Sequence, residues 1–127
     1  MLPDFNALAA LRSCCEDIKE QLGSQEPDLV VFFTSLVDND TLQKTPAALQ
    51  DAFPNATILG SAAEGGIFAS AGGEVQGAPA VSVLAASLPD VEVASFHTDV
   101  VALPEINGHS WGDLTSLPEE STPHLLM

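Results

Sequence analysis

Leu29-Val30-Val31-Phe32-Phe33 is a continuous apolar run, partly β-branched and partly aromatic. Such a run between polar neighbours reads as a strand buried on both faces. Ser35 to Thr45 reads as a polar loop holding Asp38, Asn39 and Asp40. Thr45-Pro46 reads as a helix N-cap followed by proline at the first helical position. That predicts a short helix from Pro46 to Phe53, ended by Pro54-Asn55. Ala56 to Gly60 is a second apolar strand. Strand, helix and strand at these spacings make a parallel βαβ unit.

Upstream, Leu8, Leu11, Cys15, Ile18 and Leu22 recur at alternating steps of three and four, one apolar face of a helix. Asp4 is placed to cap its start and Gly23 to end it. Downstream, Ala71-Gly72-Gly73-Glu74 and Gly77-Ala78-Pro79 are turn signals. Ala80 to Leu88 reads as a long apolar strand, turned by Pro89-Asp90 into a second strand from Val91 to His97. Two strands joined so closely are antiparallel neighbours. The predicted fold class is therefore α/β: a mixed sheet with a parallel βαβ unit followed by an antiparallel hairpin, with helices packed on the sheet. Asp99 to Glu120 reads as irregular, anchored by Trp111. Pro123 to Met127 resembles the entry to the first strand, Pro27 to Val31, and reads as the opening of another buried strand. The expectation is one domain over residues 1–127, truncated at its C-terminal end.

The charge balance is extreme. The chain has 18 acids against Arg12, Lys19 and Lys44, a formal net charge of −15. Nucleic acid is excluded as an expected partner, because phosphate recognition needs clustered Lys and Arg. Anionic membranes are disfavoured on the same ground. The two cysteines, Cys14 and Cys15, are adjacent and poorly placed for a disulfide with each other. They point to a reducing compartment and a cytoplasmic protein. The start of the chain has neither a basic segment nor a long apolar core of the signal-peptide type.

The second strand empties into Gly60-Ser61-Ala62-Ala63-Glu64-Gly65-Gly66, a run of small residues with one acid. Open α/β sheets hold ligands beyond the carboxyl ends of their strands. This run is the candidate ligand-binding segment, with backbone groups as its main contacts and Glu64 as its charged handle. Ser61, Asp38 and His97 are the residue types of a hydrolase triad, but the glycine spacing of a nucleophile elbow is missing around Ser61. His97, His109 and His124 lack metal-ligand spacing. The expectation is a binding protein, not an enzyme, with no metal and no cofactor.

Several segments in order resemble the FIST family, specifically its N-terminal domain. They are Pro27 to Ser35, Ile58 to Ile67, Gly73 to Val75, Pro79 to Pro89, Val93 to His97, Trp111 to Pro118 and Pro123 to Met127. The chain departs from the family loop at Ser61 and Ala62, where Cys and Thr are often found. The resemblance implies a sensory, small-ligand-binding domain of an intracellular signal-transduction protein, with an amino acid or similar small metabolite as ligand. Such a ligand carries an amine suited to Glu64 and to an acidic protein. The alternative it implies is a protein-interaction or substrate-recruiting domain of an F-box-type ubiquitin-ligase adaptor. A sensor predicts a concave pocket, and an adaptor predicts an exposed apolar patch.

Overall fold

A computed structural model of the chain describes residues 6–70, 72–97, 99, 124 and 126. The chain divides into two units, Met1–Val91 and Glu92–Met127. In the second, none of the described residues belongs to a helix or strand. The first carries all the elements that follow.

Helix α1 spans Ala7–Leu22. Its cap is Asn6, whose Oδ1 accepts a hydrogen bond from the Ala9 N–H at 3.0 Å. Asp4, expected in that role, lies outside the described residues. Gly23 closes the helix, its N–H donating to the Lys19 carbonyl at 3.0 Å. The apolar stripe works as its spacing predicts. Leu11 and Cys15 are buried, and Leu8 and Ile18 pack beside them.

Strand β1 (Leu29–Thr34) is the middle of a three-stranded sheet ordered β2-β1-β5. It runs parallel to β2 (Thr57–Ala62), in the register Leu29↔Thr57 to Thr34↔Ala62. It runs antiparallel to β5 (Val81–Ala86), in the register Leu29↔Ala86 to Thr34↔Val81. The ladder extends past both ends. The Thr57 N–H donates to the Asp28 carbonyl at 2.9 Å, and the Ala63 N–H to the Thr34 carbonyl at 2.8 Å. The mixed sheet and its parallel βαβ unit are as expected.

Four expectations need correction. First, β1 is buried on one face only. Val30, Phe32 and Thr34 are buried, Leu29 and Val31 are half-buried, and Phe33 is 46% exposed. Both helices pack on the Val30 side, around a core of Leu11, Cys15, Val30, Phe32, Leu49, Phe53 and Ala56. Second, helix α2 spans Asn39–Ala52 and starts well before Pro46. Asp38 caps it, and Pro46 sits inside it. The proline removes one backbone donor, but Thr45 before it and Leu49 after it, buried at helical spacing, hold the helix against the core on both sides of it. Third, β2 continues through Ser61 and Ala62, which were expected in the loop. Fourth, Val91 to His97 forms no strand. The antiparallel partner of β5 is β1, because that pairing lays Val81, Val83 and Ala85 against the core. The hairpin of this fold is instead β3 (Ile67–Ser70) with β4 (Gly73–Gln76), at the first turn signal. The strand expected at the end of the chain lies largely outside the described residues. Of it, Leu126 is exposed and not in a strand.

The α2 cap has a pH signature. Asp38 Oδ1 accepts from the Thr41 N–H at 2.9 Å. That backbone hydrogen bond, with a second from the Thr41 side chain, holds the carboxyl below its ordinary value of 3.8. Its contribution to stability is therefore complete above that value and is lost as pH falls through the lower folded value. Asp38→Asn keeps an acceptor at the cap but removes the titration. Below pH 3.8 its stability is expected to fall less steeply than that of the native chain. Identical acid limbs in urea titrations would reject this role for Asp38.

Candidate functional site

The candidate segment divides between strand and turn. Gly60, Ser61 and Ala62 complete β2, and Ala63 to Gly66 turn the chain into β3. Gly60 faces the helix layer opposite Phe32, its register partner. A Cβ at Gly60 would collide with the Phe32 ring, meeting Cγ, Cδ1 and Cε1. Ser61 points to the other side of the sheet, and its Oγ donates to the Ala62 carbonyl at 3.2 Å. Gly65 turns the chain at φ 71°, a left-handed conformation that favours glycine. The Gly66 N–H closes the turn onto the Ala63 carbonyl at 3.1 Å. Glu64 is exposed in that turn.

Beside this turn, between β3 and the sheet face that carries Phe33 and Ser82, lies an open cavity of about 280 Å³. Its walls are Phe33, Ala63, Gly66, Ile67, Phe68, Ala69 and Ser82. Ala63 and Gly66 are the residues of the candidate segment that line it. Gly60, Ser61, Ala62, Glu64 and Gly65 are not in its walls. Phe33 and Ser82 face each other in the β1–β5 register, which brings an aromatic ring and a hydroxyl to one side. Phe68 is buried, and its ring lies 3.3 Å from where a Gly66 Cβ would stand. The cavity is thus mainly apolar, with a hydroxyl and turn backbone at its border. Phe33, Ile67, Phe68, Ala69 and Ser82 were not singled out from sequence. The available signal was the alternation along β1, which sends Phe33 to the face opposite Phe32.

A second cavity, of about 320 Å³, lies near the amino end of β1, where α1 and α2 end. Three of its polar side chains have partners within its own walls. Lys19 Nζ stands 5.6 Å from the centre of the Phe53 ring, and Asn55 Nδ2 donates to Glu26 Oε2 at 3.0 Å. The turn after β2, which borders the first cavity, is the kind of position at which open α/β sheets hold ligands.

The remaining candidates have other occupations. The Asp38 carboxylate caps α2. Burial pushes the Cys14 thiol up, reinforced by Asp17, and burial pushes Cys15 up, reinforced by Cys14. Both are therefore poor thiolates. His97 lies in the second unit, and His109 and Trp111 lie outside the described residues. Among the described residues, no three His, Cys, Asp or Glu side chains gather as a metal site, and no helix is long and apolar enough to cross a membrane.

A family model described as the FIST N domain matches residues 28–117. The match begins just before β1 and takes in every strand and the cavity walls. No curated protein and no solved structure matches the chain.

Proposed function

This chain belongs to the FIST N domain family, a family of sensory and signal-transduction domains, and from that premise we propose that it binds a small metabolite without turning it over. The observation that carries the reading is the cavity beside the turn after β2, bordered by Ala63 and Gly66. Its size and apolar walls suit the body of an amino acid or a similar small metabolite. Ser82 offers a hydroxyl, and Ala63 and Gly66, of the segment from Gly60 to Gly66, offer turn backbone. Glu64, exposed one residue beyond Ala63 and outside the cavity walls, is the carboxylate this reading assigns to the ligand's amine. The protein's negative field favours the same end of the ligand. Titration calorimetry against an amino-acid panel at millimolar concentration tests this. Saturable binding is expected, weakened about tenfold by Glu64→Gln, the scale of one charge-assisted hydrogen bond. Absence of binding removes the reading. Binding unchanged by Glu64→Gln removes Glu64 from it.

A second reading is supported by a different observation. The sheet face opposite the helices carries Val31, Phe33, Leu59 and Leu84, three of them exposed. An apolar face of this kind suits a protein-interaction domain, such as the substrate-recruiting part of an F-box-type ubiquitin-ligase adaptor.

A further inference from the structure

The face that α1 and α2 leave bare is ordered by the register. Leu59, Val31 and Leu84 form one row across the three strands, because Val31 is the partner of both leucines. Phe33 stands in the next row, between Ser61 and Ser82. Leu59 is 42% exposed and Leu84 61% exposed. An apolar sheet face is stably covered by packing another element on it, and a helix with an apolar stripe is a common one.

The distribution of charge says what kind of helix. Arg12 and Lys19 lie on α1, and Lys44 lies on α2. Both helices pack on the opposite side of the sheet. After Lys44 the sequence contains no Lys or Arg at all. Among the described residues after α2, the charged side chains near the strands are acids, among them the exposed Glu64 after β2, Glu74 in β4 and Asp90 after β5. A second copy of the chain would bring another −15 to this surface, which disfavours self-association. A cationic partner is drawn to it.

We propose that the row Leu59–Val31–Leu84 docks an amphipathic helix of a partner protein whose apolar stripe is flanked by Lys and Arg. This rests on the protein-interaction reading and names the chemistry of the partner. The mode is an amphipathic helix laid on an apolar surface, with charges at the rim fixing orientation and speeding encounter.

The test uses the whole chain and a fluorescent peptide of about five helical turns, with a leucine stripe and lysine flanks. Saturable anisotropy binding is expected, weakening as salt is raised. The double variant Leu59→Ser/Leu84→Ser is expected to lower the affinity about tenfold or more, with an unchanged thermal melt. A scrambled peptide of the same charge and a glutamate-flanked peptide with the same stripe are both expected to bind far more weakly. No binding, equal binding of either control, or indifference to the double variant overturns the proposal. So does a dimer in sedimentation that the double variant dissolves, since a second copy would then own the face. Neither Leu59 nor Leu84 lines the ligand cavity. Amino-acid binding by the double variant therefore reports separately on the sensor reading.

Discussion

Gly60→Val is expected to destabilise the domain by about 3 kcal/mol, and Gly60→Ala by about 2, as overpacking of a filled core does. Gly60 lies on an outer strand of the sheet and is itself exposed, where a glycine is often replaceable. Here its missing side chain is the space that the Phe32 ring fills. The obstructing atoms include Phe32 Cγ, close to the backbone, so the ring cannot swing aside like the tip of a long side chain. Phe32 is also held in the core, 6% exposed. A domain of this size loses about 4–8 °C in Tm per kcal/mol, so thermal melts resolve both variants easily. The decisive measurement is a double-mutant cycle with Phe32→Leu. The narrower side chain should relieve part of the clash, giving a coupling of about 1 kcal/mol or more. Additive effects, or a Gly60→Ala melt equal to the native one, would show that ring and glycine are not in contact.

The second large effect comes from the core, and its contrast lies on the bare face. Leu49 is fully buried in α2, among Leu11, Val30 and Phe32. Leu49→Ala is expected to cost about 3 kcal/mol through lost transfer energy and the cavity left behind. Leu84→Ala removes the same atoms from a side chain that is 61% exposed. Its cost is expected to stay within about 0.5 kcal/mol. Urea unfolding of the two variants, with equal m-values, separates the two faces of the sheet. A Leu84→Ala cost approaching that of Leu49→Ala would mean that the second face is covered in solution.

The parallel βαβ unit was legible because its signals are local and agree. An apolar β-branched run, a helical segment and a second apolar run leave few arrangements. The one-sided burial of β1 was not legible. Leu29 to Phe33 contains no polar residue, so nothing in it distinguishes a covered face from a bare one. The start of α2 was misplaced because Thr45-Pro46 is a strong helix-start pattern. Asp38 with Thr41 is an equally good one, and tertiary burial of Thr45 and Leu49 favoured the longer helix. The partner of β5 was misread for a related reason. Pro89-Asp90 predicts a tight return, and a turn does form there. Joining β1 packs the half-buried Val81, Val83 and Ala85 against the core. For the site, Ala63 and Gly66 were found because they follow the end of a strand. Phe33 and Ser82 reach the cavity through a pairing between distant segments. Sequence spacing carries no record of such a pairing.

The position of β1 between two neighbours of unequal sequence distance bears on how the domain assembles. Its parallel neighbour arrives after a single intervening helix, so closing β1 on β2 loops out only α2 and its flanks. Its antiparallel neighbour must return from beyond β2 and the β3–β4 hairpin. Loop-closure entropy rises with the logarithm of loop length, which makes the first closure the less costly one. Every fully buried member of the core cluster lies at or before Ala56. A nascent chain that has emerged through β2 therefore already holds the whole of that cluster. The strand that completes the sheet adds only half-buried side chains to its margin. Among the described residues the core cluster lies in the first half of the chain, while the cavity walls Ile67, Phe68, Ala69 and Ser82 are synthesised after it.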